Sequence, residues 1–166
     1  ELAEQICADE KIDSYVIMDM LGRLVDKSLV EVDENITGTR YHILETVRQY
    51  AREKLLESGE GMEIRNKHRA VYLAFVERIE PEIIRAQQKK WLNVLESEID
   101  NIRSAFNWSL ENKDAEQALR FCSGLGNFWG KNEHTVEASE TTKQVLALVN
   151  ENDDLKRFPK HDCDIG

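Results

Sequence analysis

The chain is short of residues that break or staple structure. Its 166 residues include only 2 Pro and 8 Gly, which excludes collagen-like and low-complexity classes. The three cysteines, Cys7, Cys122 and Cys163, are an odd number at wide spacing, so reduced thiols are expected in place of a disulfide framework. No apolar run approaches the ~18 residues of a membrane-crossing helix, and no charged-then-apolar leader opens the sequence. A cytoplasmic setting without membrane contact is the expectation. The phosphate-binding Gly-x-x-x-x-Gly-Lys-Ser/Thr loop, a nucleophile elbow and paired metal-ligand motifs are also missing, so the chain is not expected to be an enzyme, and neither a metal nor a cofactor is expected in it. His161 and Cys163, flanked by Asp162 and Asp164, fall short of the four spaced ligands of a structural zinc site.

What remains is 41% hydrophobic and 33% charged, with a net charge of -10. Residues 1–35 carry ten acids against three bases, Lys11, Arg23 and Lys27, whereas residues 40–70 carry seven bases against five acids. A duplex-binding surface needs several Lys or Arg on one face to release counterions; no segment supplies such a stripe. The opening stretch Glu1 to Cys7 already has helical spacing with no cap ahead of it, which reads as an excerpt from a longer polypeptide.

Hydrophobic periodicity gives the elements. After a turn at Asp9 to Lys11, Asp13 or Ser14 caps a helix whose Val16, Ile17, Met20, Leu21, Leu24 and Val25 form a stripe facing a core. Ser28 to Asp33 and Arg40 to Leu44 switch to period two, predicting a β-hairpin with a loop of about six residues. A helix from Thr46 puts Val47, Tyr50, Ala51 and Leu55 on one face, with Gly59 as its left-handed terminator. Residues 63–79 form the next helix, with Ile64, His68, Val71, Tyr72, Phe75, Val76 and Ile79 inward and Pro81 as its stop and the start of a short successor. Further helical patterns carry Trp91, Leu92 and Leu95; then Ile99, Ile102, Ala105, Phe106 and Leu110; then, beyond a turn at Asn112 to Asp114, Ala118, Leu119, Cys122, Leu125 and Trp129, opened by a capping pair Asp114 and Gln117. A last helix covers about 135–149, and the tail beyond it has no period.

Helix, helix and two short strands follow the order of the second half of a winged helix, and antiparallel helices joined by short loops follow it. The fold class is therefore mostly α, a truncated winged helix with a small hairpin and then a helical array. Its candidate recognition helix, Ser14 to Ser28, sets Arg23 and Lys27 against Asp19 and Asp26, so DNA is not the expected partner. The basic run Arg65, Lys67, His68, Arg69 spreads around its helix and is expected to be solvated. Trp91, behind Lys89 and Lys90, is expected to anchor a core. Cys7 and Cys122, on apolar helical faces, are expected to be buried and inert.

Three ordered blocks carry a resemblance: Leu21-Gly22-Arg23-Leu24-Val25-Asp26-Lys27-Ser28-Leu29-Val30; Arg40-Tyr41-His42-Ile43-Leu44-Glu45-Thr46-Val47-Arg48-Gln49-Tyr50-Ala51; and Trp91-Leu92 with Glu98-Ile99-Asp100-Asn101-Ile102-Arg103-Ser104-Ala105. Over residues 1 to about 130 the chain resembles bacterial signal-transduction ATPases with numerous domains, transcriptional regulators in which a P-loop ATPase precedes a winged helix and tetratricopeptide-like repeats. The resemblance implies a winged-helix domain at 1–60, a helical linker bundle at 61–112, the start of tetratricopeptide-like repeats at 113–150 and a tail at 151–166. It further implies a winged helix that packs on the nucleotide-binding domain, repeats that receive a ligand or partner protein, and ATP or ADP held by the parent protein and not by this chain. In eukaryotic relatives a Met-His-Asp motif at the start of the helix after the hairpin reaches ADP. Ile43-Leu44-Glu45 stands in that place, and leucine cannot donate to a phosphate, which leaves Glu45, Arg48 and His42 as candidates to face the nucleotide domain. Glu45 and Arg48, one turn apart, are expected to form a surface ion pair. Val47, Tyr50 and Leu55 are expected to hold the two halves together, with the helix that carries them as a lever. The expected function is regulatory and non-catalytic, with a DNA-binding winged helix and an autonomous helical-repeat interaction module as the alternatives.

Overall fold

A computed structural model describes residues 2–9, 12–35, 38–131 and 134–151. Helix α1 (Leu2–Cys7) leads through a turn, in which Asp9 Oδ1 accepts from the Ile12 N–H at 2.8 Å, to α2 (Ser14–Asp26). There Ser28 takes φ 56°, and α2 ends as the Ser28 N–H donates to Val25 O at 2.8 Å and the Leu29 N–H to Leu24 O at 3.0 Å. That pair of bonds satisfies two terminal carbonyls with serine in the place glycine usually takes. Strands β1 (Val30–Asn35) and β2 (Gly38–Ile43) pair antiparallel, Val30 opposite Ile43 and Asp33 opposite Arg40. The hairpin is longer than the sequence suggested: its strands run on to Asn35 and Gly38, leaving two residues between them. Helix α3 (Glu45–Ser58) closes this half at Gly59, φ 77°.

The remaining helices are α4 (Gly61–Ile83), α5 (Gln88–Ser97), α6 (Ile99–Glu111), α7 (Ala115–Trp129) and α8 (Thr135–Glu151). Helix α4 passes through Pro81 instead of stopping before it. Ile79 and Ile83, one turn apart and both fully buried, hold this last turn on the core, which offsets the bond that proline cannot make. No separate short helix starts there; a turn leads to α5. Asp114 caps α7 as expected, accepting from the Gln117 N–H at 3.2 Å.

One apolar cluster runs from Tyr72, Val76, Ile79 and Ile83 of α4 through Leu95, Ile102, Phe106, Phe121 and Phe128 to Val145 of α8, and it takes in Ile6 from α1. Helix α4 lies at its centre, packed on α5, α6 and α7 and touched by α1. Trp91 is half-buried at its edge with Lys90 Nζ 5.1 Å from the ring centroid. Mostly helical structure with a two-stranded hairpin, a winged helix followed by a helical bundle, is the observed architecture. Among the described residues no helix is long and apolar enough to cross a membrane. Residues 152–166, where the aperiodic tail and the His161 and Cys163 pair fall, lie outside the described residues.

Candidate functional site

Two surfaces stand out, one on the winged helix and one between it and the bundle. The first is the outward side of α2. Its stripe was expected to face a core, yet only Ile17 is buried, while Tyr15 is 72% exposed and Met18, Met20 and Leu24 are exposed with it. The reason is geometric. Helix α2 packs on α1 and on the hairpin, and a partner that small covers one strip of its circumference. Asp19 and Asp26 share the exposed surface with Arg23 and Lys27, and β1 adds Glu31, Asp33 and Glu34, all exposed. None of these five acids has an ionic partner among the described residues. The result is an apolar and acidic surface, the reverse of what phosphates attract.

The hairpin itself has two faces, as alternation requires. Val30, Val32, Tyr41 and Ile43 share one; Glu31, Asp33, Arg40 and His42 share the other. From that polar face Arg40 Nη1 reaches Glu98 at 3.1 Å, both side chains half-buried. Glu98 also accepts from the Tyr72 O–H at 2.8 Å and from Asn101 Nδ2 at 2.9 Å. Burial, reinforced by the Glu98 charge, pushes the Tyr72 hydroxyl far above its ordinary range, and burial pulls the neighbouring His68 imidazole down. Tyr72 is therefore a fixed donor. Sequence reasoning missed this node because its members lie 26 and 58 positions apart, although Arg40 and Glu98 each stand in one of the three ordered motifs.

The second surface is a cleft of about 800 Å³ between β2 and α3 on one side and α4 and α6 on the other. His42 and Arg48 line it, as do Leu55, Arg65 and Trp108. Glu45 pairs with Arg48 at 3.1 Å, both exposed, which is the expected surface pair. Most of the cleft's cations are already compensated. Arg40 holds Glu98, Arg65 holds Glu111 at 3.4 Å and covers the Trp108 ring at 4.8 Å, and Arg103 holds Asp100 and Glu137. The Arg103 guanidinium keeps the Glu137 carboxyl below its ordinary range. Arg52 is the lining arginine without an ionic partner among the described residues.

Several expected placements need correction. Tyr50 does not pack against the bundle; it is 61% exposed beside Lys54. Ala51 is exposed too, and α3 has no buried residue. Val47 and Leu55 are half-buried, Leu55 against Gly61. The cause is that α3 leans on α4 only near the chain's return at Gly59, so its middle turns face water. The basic run on α4 is not simply solvated: Lys67 holds Glu63 at 3.1 Å and Arg69 holds Asp114 at 2.8 Å with its side chain half-buried. Cys7 is exposed. Cys122 is half-buried, and burial pushes its thiol up to about 11. No group of three His, Cys, Asp or Glu among the described residues is arranged to hold a metal ion.

Comparison with known proteins places this geometry. Residues 3–56 match the family described as "Winged helix-turn-helix domain". Proteins of Mycobacterium tuberculosis and Mycobacterium bovis, each named "Putative HTH-type transcriptional regulator", are 38% identical over 141 residues, 85% of this chain and 16% of theirs. A further Mycobacterium tuberculosis protein, named "Uncharacterized protein", is 41% identical over 61 residues, 37% of this chain and 16% of that one. The chain thus spans about 16% of the length of the curated relatives it matches. No solved structure matches it.

Proposed function

We propose that this chain is a non-catalytic, regulatory segment of a longer transcriptional regulator, and that its winged helix docks on protein instead of reading DNA. The observation that carries the proposal is the exposed side of α2. Tyr15, Met18, Met20 and Leu24 stand among Asp19 and Asp26, next to the acidic strand β1. Apolar side chains rimmed by charge are the composition of a protein-binding patch. The partner in this reading is a nucleotide-binding domain of the same polypeptide, which holds ATP or ADP, and the helical bundle behind the winged helix opens an array of tetratricopeptide-like repeats that receives an effector in the cytoplasm. Arg48 and His42, with Glu45 steadying Arg48, are the residues we assign to restrain that nucleotide. In the longer protein, Arg48→Ala that bound and released ADP as the parent does would remove Arg48 from this role.

The second reading is DNA binding, favoured by the family match over residues 3–56 and by the names of the mycobacterial relatives. Fluorescence anisotropy separates the two. Under the docking reading, the chain shows no salt-dependent affinity for a labelled duplex between 50 and 200 mM salt. It binds the nucleotide-binding domain added in trans, and Met18→Asp weakens that binding. Duplex affinity that falls by about 10³ or more across the same interval, and that Met18→Asp leaves intact, would overturn docking in favour of DNA.

A further inference from the structure

Arg40 is the one Lys or Arg in β1 and β2, and an acid faces it on either side. Across the hairpin its register partner is Asp33, on the same face of the sheet, where directly opposed side chains stand about 5 Å apart at Cβ. On the bundle is Glu98, which it holds at 3.1 Å. Asp33 is left exposed, with no ionic partner among the described residues.

We infer that Arg40 is a two-position latch between the winged helix and the bundle: on Glu98 it holds β2 and α3 against α4 and α6, and on Asp33 it lets them swing away. The chemistry makes both positions tenable. In either one the guanidinium keeps a carboxylate, so one charge-assisted bond replaces another. When Arg40 leaves, Glu98 keeps the Tyr72 hydroxyl and the Asn101 amide, so the half-buried carboxylate is not stranded. A buried ion without such support would make release costly.

Little else opposes the swing. Helix α3 has no buried residue, and its principal contact is with α4. The apolar tie lies elsewhere, at Ile6 of α1, which is part of the bundle's own cluster. Val30 keeps the hairpin on the α2 side. Together these describe a winged helix seated on α1 and joined to the bundle at the Gly59 return, where Leu55 meets Gly61, with Arg40 as the ion pair that fastens β2 to the bundle among the described residues. The cleft between β2 with α3 and α4 with α6 is the space that opens. The latch rests on the regulatory reading above, to which it adds the means by which a partner on α2 is felt by the bundle.

Hydrogen exchange followed by mass spectrometry on the whole chain tests it. Glu98→Gln keeps an oxygen for Tyr72 and Asn101 but removes the charge that holds Arg40. Exchange over residues 38–58 should rise about tenfold while 61–151 keep their protection. Arg40→Met, which leaves Glu98 with Tyr72 and Asn101, should do the same and decides the matter if Glu98→Gln loosens the bundle. Asp33→Asn removes the alternative partner, so exchange over 38–58 should slow by about two- to threefold, an effect that vanishes in an Arg40→Met background. Unchanged or faster exchange in Asp33→Asn would reduce the pair to a static ion pair. Unchanged exchange in Arg40→Met would show that the ion pair does not hold the wing at all. These measurements need neither DNA nor a partner, so the latch can fail while docking stands, and the reverse.

Discussion

The two halves of the chain solve the burial problem differently. In the bundle, Val76, Ile79, Ile83, Leu95, Phe121 and Phe128 are sealed from water, and long-range pairs, Arg120 with Glu77 and Arg69 with Asp114, tie helices more than forty positions apart. In the winged helix the buried apolar residues among those described are Ile6, Ile17 and Val30, and Ile6 belongs to the bundle's core as much as to its own. Hydrophobic area removed from water is the main source of stability, so stability resides in α4 to α8. The winged helix trades that stability for exposed surface. A partner-binding element drawn from the less stable part of a fold is the usual arrangement.

The sharpest way to break this comparison is to damage the bundle. Phe121 is fully buried and meets Phe106 edge-on at 6.2 Å. Phe121→Ala should cost about 3–5 kcal/mol in chemical denaturation and take the winged helix down with the bundle, since Ile6 loses its seat. A winged helix that kept its protection while the bundle melted would show that it folds alone. A smaller blow falls on the α4 and α7 crossing. A Cβ built at Gly124 would lie 2.6 Å from Val76 Cγ1, closer than carbon atoms approach, so Gly124→Ala should destabilise by about 1–3 kcal/mol. Adding Val76→Ala should recover part of that loss, because the two substitutions share one space. Purely additive losses would mean the crossing is not set by that contact.

The sequence made the bundle legible and the winged helix only half so, for one reason. Periodicity reports which residues would suit a core. It does not report whether a core is supplied. Along α4 the stripe Tyr72, Phe75, Val76 and Ile79 finds helices on several sides, and the expectation of burial matches the structure. Along α2 the stripe is as regular, but its neighbours are a six-residue helix and a two-stranded hairpin, so Met20 and Leu24 stay in water. Helix α3 stays exposed because it meets α4 only near Gly59. Pro81 misled for a related reason: local chemistry said stop, and the burial of Ile83 overruled it. Two helix ends, at Ser28 and Lys113, take positive φ without the glycine that usually signals it, so only the change of pattern marked them, whereas Gly59 announced itself. The candidate site suffered most, since the Arg40 and Glu98 contact depends on how two halves meet, which no local pattern encodes.

The gentlest test concerns Tyr50, and it sharpens the comparison by asking for almost nothing. Its ring is 61% exposed, with Lys54 Nζ 5.6 Å from the centroid, a contact worth at most about 1 kcal/mol at an exposed site. Tyr50→Ala should therefore shift the stability of the chain by no more than about 1 kcal/mol in urea unfolding, against the several expected for Phe121→Ala. A loss above about 2 kcal/mol would mean that α3 is packed along its length and acts as a rigid lever, and Arg40 could then not be the sole fastening of the wing. With the small shift, the middle of α3 is free of the bundle, and a rotation of the winged helix on α1 has only the contact of Leu55 near Gly61 to disturb along α3.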